Sequence, residues 1–386
     1  MLWRQVKRAL SSSVRSGVEK SLTPRRSRRG RALSVIEFLE CRRLLTGTPY
    51  YFAAVSDYGT NGTNEANVAT MINSWDGTGD ALAALITAGD NRQQTGTGYA
   101  TLVGNYYGEF VTEHRIFPVP GNHDWGDGSG YAYPTTLSDY RAYFNWLFPN
   151  SSTPDYYDFT SGPAHFFMLS GNINEPGSNG PQSAQANCLR QQLAASTSPW
   201  NIVVMHEPTV ASVNAGTDWK NRHWSNPELQ WPWKDWGVDA VITGHVHNYE
   251  RFSIDGLPYF VNGVGGHENN VAFEYPPGAA SLVRDNGHFG GILITADEST
   301  ISFNYITTDG TTDTPRDTVT LTEPTPTSMT LSAKGEAWKY FHPYDNPDST
   351  HANPGNVNGH YYDQDFYTTW FTSNDYSADA RDDRVA

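Results

Sequence analysis

Five short stretches of this chain place possible cation-binding side chains directly after apolar runs. They are SDYG with Asp57, GDN with Asp90, GNHDWG with Asn122, His123 and Asp124, HEP with His206, and GHVH with His245 and His247. A lone carboxylate or histidine in such a place says little. Together, two carboxylates, an amide oxygen and three imidazoles form a mixed oxygen and nitrogen set suited to cations such as Zn, Mn or Fe. No thiolate lies near them, which argues against a closed structural zinc site. Six donors exceed the needs of one catalytic ion, so a shared carboxylate could bridge two ions about 3.5–4 Å apart. In GHVH the two imidazoles are at i and i+2, so in an extended segment they point the same way and can serve two different ions.

The elements that must position these residues are legible as repeated apolar runs. YYFAAV (50–55), ALAALITA (81–88), RIFPVP (115–120), AHFFMLS (164–170), NIVVM (201–205), VDAVIT (238–243), PYFVNGV (258–264), GGILITA (290–296) and TISFNYIT (300–307) each have the length of a buried strand. Helices are expected between them at NEANVATMINSWDG with Asn64 as N-cap, at SDYRAYFNWLF from Ser138, and at SAQANCLRQQLAAS from Ser183. Alternating strands and helices predict an α/β fold, and the late hairpin-like strands predict mixed sheets. In such sheets ligands bind beyond the carboxyl ends of strands, which is where the candidate residues fall. Gly89, Gly121 and Gly244 precede three of them and let the chain turn sharply off its strand.

The ordered blocks resemble the calcineurin-like metallophosphoesterases, and within them the purple acid phosphatase branch. The family pattern D-x-G, G-D-x-x-Y, G-N-H-(D/E), V-x-x-H and G-H-x-H appears as Asp57-Tyr58-Gly59, Gly89-Asp90-Asn91-Arg92-Gln93, Gly121-Asn122-His123-Asp124, Val203-Val204-Met205-His206 and Gly244-His245-Val246-His247. Asn248-Tyr249-Glu250-Arg251 extends the match to that branch, and the resemblance covers roughly residues 50–310. It implies a four-layer α/β/β/α sandwich with mixed sheets. It also implies hydrolysis of a small phosphate ester, a monoester in this branch, by attack of a hydroxide held on two metal ions (Fe, Zn or Mn). By the same resemblance Asp90 bridges the ions, Asp57 and His247 complete the first, and Asn122, His206 and His245 complete the second. His123 would act near the leaving group, oriented by Asp124, and His223, flanked by Lys220 and Arg222, is the available substrate-binding histidine. A phosphodiesterase or nucleotidase on the same scaffold, or a catalytically weakened surface-binding protein, are the alternative readings.

One departure concerns the first ion. Gln93 stands where the branch has its tyrosine, and Gly59 stands where relatives outside the branch have a histidine. A tyrosinate stabilises Fe(III) and gives the purple colour, so the sequence predicts a colourless protein. Gln93 oxygen, Tyr58 or solvent are open as the replacement. Glu207 follows His206 where many relatives carry a second histidine, making the pocket more acidic.

Composition bounds the setting. Aromatics at 13% and hydrophobics at 38% predict a folded chain. Residues 1–46 hold 12 Lys and Arg against 3 Asp and Glu, a net of +9, while the rest holds 14 against 38, a net of -24. The basic segment reads as an export leader, similar to those ending in LE-x-RRLL, and predicts an exported or cell-surface protein. The acidic body argues against nucleic acid as a partner. Only Cys41 and Cys188 are present, so the chain beyond the leader has no partner for an internal disulfide. No apolar run is long enough to predict a transmembrane helix. The metallophosphoesterase domain is expected over 47–321, followed by a Pro/Thr linker at 322–330. Residues 331–386 resemble the opening strands of a galactose-binding-like β-sandwich. The pattern leaves oligomeric state open.

Overall fold

Most of the early strands are apolar at nearly every position, which suits strands covered on both faces. The computed structural model describes residues 48–77, 81–126, 136–171, 180–213, 227–268, 270–273 and 280–323. The segment 1–46 expected as a leader, His223 with Lys220 and Arg222, and all of the expected linker and β-sandwich-like segment from residue 324 onward lie outside the described residues.

The first strands are β1 (Tyr50–Val55), β2 (Leu82–Thr87), β3 (Ile116–Pro118), β4 (Tyr157–Ser161), β5 (Ala164–Met168), β6 (Trp200–Val204) and β7 (Ala240–Thr243). They are followed by β8 (Tyr249–Ile254), β9 (Leu257–Asn262), β10 (Ser281–Asp285), β11 (Phe289–Ala296), β12 (Thr300–Thr308) and β13 (Asp313–Thr322). The helices are α1 (Thr63–Asp76), α2 (Tyr99–Leu102), α3 (Gly104–Thr112), α4 (Ser138–Tyr143) and α5 (Ala184–Ala195). Two mixed sheets result, ordered β13-β12-β11-β1-β2-β3 and β10-β8-β9-β7-β6-β5-β4. Within them β1, β2 and β3 are mutually parallel, as are β5, β6, β7 and β9.

Strand alternation builds the layers. In β1, Phe52 and Ala54 join a core with Phe166, Ile202, Ile242 and Phe260 of the other sheet, while Ala53 and Val55 face the opposite way. The outward face of the first sheet is covered by α1 to α4 through Val68, Ile72, Tyr107, Phe110 and Tyr140. On the second sheet, Val203 and Val241 pack under α5 through Leu189 and Leu193, beside Trp231 and Trp233. The order of layers is therefore α/β/β/α, as expected. Parallel strands in each half deliver their carboxyl ends to one rim.

All nine expected strands form. Four more do so without a clear apolar signal: β4, β8, β10 and β13. Three of these are edge strands, whose polar and charged residues suit a position paired on one side only. The Gly-interrupted aromatic run YATLVGNYYGEFVT forms α2 and α3, which periodicity did not predict. Helix α1 begins two residues earlier than expected, with Gly62 rather than Asn64 as N-cap, and Glu65 accepts from the backbone N–H groups of Thr60 and Asn61. Helix α4 stops at Tyr143 because Phe144 leaves helical geometry, and Phe144 and Phe148 turn into the core. At α5, Ser183 caps as read, accepting from Ala186 N at 3.1 Å.

Candidate metal centre

The turns that leave the parallel strands are tight. Asp57 after β1, Asp90 after β2 and His245 after β7 all adopt positive φ, of 55°, 50° and 68°. Non-glycine residues rarely do so, and such strain gathers where packing enforces it, often at functional sites. Close packing requires the glycines before three of the candidate residues: a Cβ on Gly89 would strike His206, one on Gly121 would strike Asp90, and one on Gly244 would strike Ser56 and Asp57.

The result is convergence. One group joins Asp90, His206 and His245, and another joins Asp57, Asp90 and His247, the donor atoms of each lying within 4.8 Å of one another. Asp90 belongs to both. His206 Nε2 lies 3.3 Å from Asp90 Oδ1, 3.1 Å from Asn122 Oδ1 and 3.2 Å from His245 Nδ1. His247 Nε2 is 3.3 Å from Asp57 Oδ1. Thus the six residues expected as ligands meet in one pocket.

The supporting bonds fit a cation. His206 Nδ1 is 2.8 Å from the Ala88 carbonyl, so it carries a proton there, and a metal ion would meet the ring through Nε2 in place of the second proton. Asp57 Oδ2 accepts from Ser56 Oγ and His245 N, turning Oδ1 toward His247. Burial alone would raise Asp90, but the His206 and His123 imidazoles hold it well below the carboxylate range. Burial likewise opposes a charged His206, yet Asp90 and Asp57 raise it well above an ordinary histidine, with Glu207 adding to the pull. His245 is pushed down by burial and by His206. The buried carboxylates thus call for positive charge between them, which here falls to His206 and which a metal ion would supply in its place.

His123 stands at the rim, its side chain 25% exposed and its Nε2 4.0 Å from Asp90 Oδ2. Its backbone N–H donates to Asp90 Oδ1 at 2.8 Å. Asp124, expected to orient His123, is wholly buried and accepts from Gly121 N, Tyr99 Oη and both the backbone and side-chain nitrogens of Asn91. Burial and nearby Asp90 push its carboxyl up to about 6. These bonds tie the Gly121 turn to the Asp90 turn.

Tyr58, one open replacement for the missing tyrosine, faces the helical layer. Its hydroxyl donates to Asn91 Oδ1 at 2.6 Å and its ring meets Tyr107 edge-on. The Asn248-Tyr249-Glu250-Arg251 extension serves as a clamp. Tyr249 Oη and Arg251 both donate to Asp317 on β13, joining the two sheets beside the GHVH turn. Glu250, fully buried, gathers Ser212, Ser281 and Arg284.

Sequence reasoning missed His267. It follows Gly265-Gly266 after β9, its backbone N–H donates to the Asp57 carbonyl at 3.0 Å, and its ring lies against that of His247 with centroids 3.9 Å apart. Burial and then His247 lower it to about 4. The signal was available: a histidine after glycine at a strand end, as at His245.

Comparison with known proteins agrees with this arrangement. A family profile for calcineurin-like phosphoesterases matches residues 52–249. Purple acid phosphatase 15 of Arabidopsis thaliana is 28% identical over 188 residues, 44% of this chain and 34% of that protein. Purple acid phosphatase 22 of the same plant is 28% identical over 266 residues, 64% of this chain and 57% of that protein. The chain therefore spans less than two thirds of either relative. Among solved structures, GAP50, the anchor in the inner membrane complex of Plasmodium, superposes with a TM-score of 0.53 at 15% identity, covering 72% of this chain and 90% of that one. That last likeness is one of fold.

Proposed function

This chain belongs to the calcineurin-like phosphoesterase family, in its purple acid phosphatase-like branch, and from that premise we propose that it hydrolyses phosphate monoesters at a two-metal centre. The observation that carries the reading is the sharing of Asp90 between two convergent donor groups. Asp57, Asp90 and His247 would hold one ion, and Asp90, Asn122, His206 and His245 the other, with Fe, Zn or Mn as the candidates. When bound, two such ions would acidify a water toward a pKa of about 7 and screen the charge of the phosphate.

The chain's own residues then divide the work. Ala88 and Ser56 fix the His206 ring and the Asp57 carboxylate, so neither must reorganise during the reaction. His123, partly exposed beside Asp90, would give a proton to the departing alkoxide, a role typically worth about 10²–10⁴-fold. Asp124 positions His123 indirectly, by holding the Gly121 turn. No helix among the described residues is long and apolar enough to cross a membrane. Export belongs to the same reading, supported by the basic segment 1–46.

The test is hydrolysis of an aryl phosphomonoester by metal-stripped protein given Mn, Zn or Fe, beside Asn122→Ala. Metal-dependent turnover that falls at least about 100-fold in the variant is expected. Turnover confined to a bis-aryl phosphodiester would replace the monoesterase reading with a diesterase. Turnover of neither ester with any metal would favour a binding protein.

A further inference from the structure

The group around His247 holds three donors where the group around His206 is joined by a fourth, Asn122. Resting on the two-metal reading, we propose that the carboxamide oxygen of Gln93 is the fourth protein ligand of the first ion.

Gln93 already touches the shared carboxylate. Its Nε2 donates to Asp90 Oδ2 at 3.1 Å, while its Oε1 is buried and has no hydrogen-bond partner among the described residues. A buried acceptor left unmatched costs about 1–3 kcal/mol, so its presence asks for a partner. A half-turn of the carboxamide exchanges its oxygen and nitrogen within almost the same outline. With a cation beside Asp90, that turn brings Oε1 to the metal side and moves the N–H₂ away. The backbone holds the residue in reach, because Gln93 N donates to Gly59 O at 2.9 Å and fixes it to the loop that follows Asp57.

The other positions are closed or turned aside. Gly59 has a φ of +47°, and a Cβ there would run into the Asn91 carbonyl, so the histidine some relatives use at this place does not fit this turn. Tyr58 is committed to Asn91 on the helical side. His267 lies with its ring face against His247, at 35° between planes, whereas two imidazoles on one ion converge through their ring nitrogens. That contact makes it a packing neighbour of His247.

Gln93 would make the two sites alike, each with carboxylate, amide oxygen and imidazole. An amide is neutral where tyrosinate is anionic, so the first site favours a divalent ion over Fe(III).

Metal titration of the whole chain with Mn²⁺ and Zn²⁺ by calorimetry tests this, together with the visible spectrum after iron loading. The wild type is expected to take up two ions. Gln93→Ala should keep one at wild-type affinity and bind the other about tenfold or more weakly. Gln93→Glu should restore it, and His267→Ala should leave both within about twofold, since it removes no ligand. Gln93→Tyr loaded with Fe(III) should gain a visible tyrosinate-to-iron band that the wild type lacks, a signature that loss of a mere hydrogen bond to Asp90 does not produce. Unchanged binding in Gln93→Ala, or an iron-loaded Gln93→Tyr that binds two ions and stays colourless, overturns the assignment. Asn122→Ala separates the two ideas: if it alone weakens one of two ions, the two-metal centre stands and Gln93 is excluded. A wild type that binds no ion overturns both.

Discussion

The two halves of the pocket differ in how their donors are secured. Around His206, the imidazole is locked by the Ala88 carbonyl and stands within about hydrogen-bonding reach of Asn122, Asp90 and His245. Around His247, the ring meets Asp57 and lies against the half-buried His267. The first arrangement is a net, in which each member restrains several others. The second runs in series through Asp57, His247 and His267, and it is the half in which the familiar motif has changed.

Because Asp90 is common to both halves, its loss is the severest way to break the comparison. Asp90→Ala should bind neither ion in calorimetric titration and lose at least about 10³-fold in phosphatase turnover. Retention of one ion would show that the halves are independent. A smaller effect is confined to the His247 half, through Glu65 below the Asp57 loop. Burial pushes Glu65 up to about 7 against its backbone hydrogen bonds. A carboxyl raised in the folded state binds more protons there than in the unfolded chain, so the contribution of Glu65 to stability is greatest below about 4.5, falls as pH rises to about 7, and is level above that. Glu65→Gln removes this dependence, and should gain on the order of 3 kcal/mol relative to the wild type between pH 4.5 and pH 8. Parallel thermal melts of the two proteins across that range would reveal it, and identical pH profiles would contradict it. The smallest effect belongs to Tyr58→Phe. It deletes the bond to Asn91 and should cost about 0.5–1.5 kcal/mol in denaturant melts while leaving metal content unchanged. Loss of an ion in that variant would put Tyr58 back in the first half.

Much of this was readable before any coordinates. The runs ending in Asp57, Asp90, Asn122, His206 and His245 are buried on both faces, so continuous apolarity marked them, and glycine marked three of the turns. The edge strands β10 and β13 escaped because SLVRD and DTPRDTVTLT carry charges that an edge tolerates. Helices α2 and α3 escaped because aromatic packing, with Tyr107 and Phe110 in the core, outweighs the glycines that interrupt them. At the site, residue types identified the donors, but the directions of Tyr58, Gln93 and Asp124 depend on which neighbour accepts each hydrogen bond. His267 was hidden by reading only as far as the known blocks.

The clamp from Tyr249 and Arg251 to Asp317 has a bearing on how the molecule comes into being. Its partners stand 68 and 66 residues apart along the chain. During synthesis the GHVH turn is therefore translated well before the carboxylate that anchors it. Contacts of such long separation are slow to form. The candidate metal centre thus acquires this anchor only once β13 has joined the first sheet.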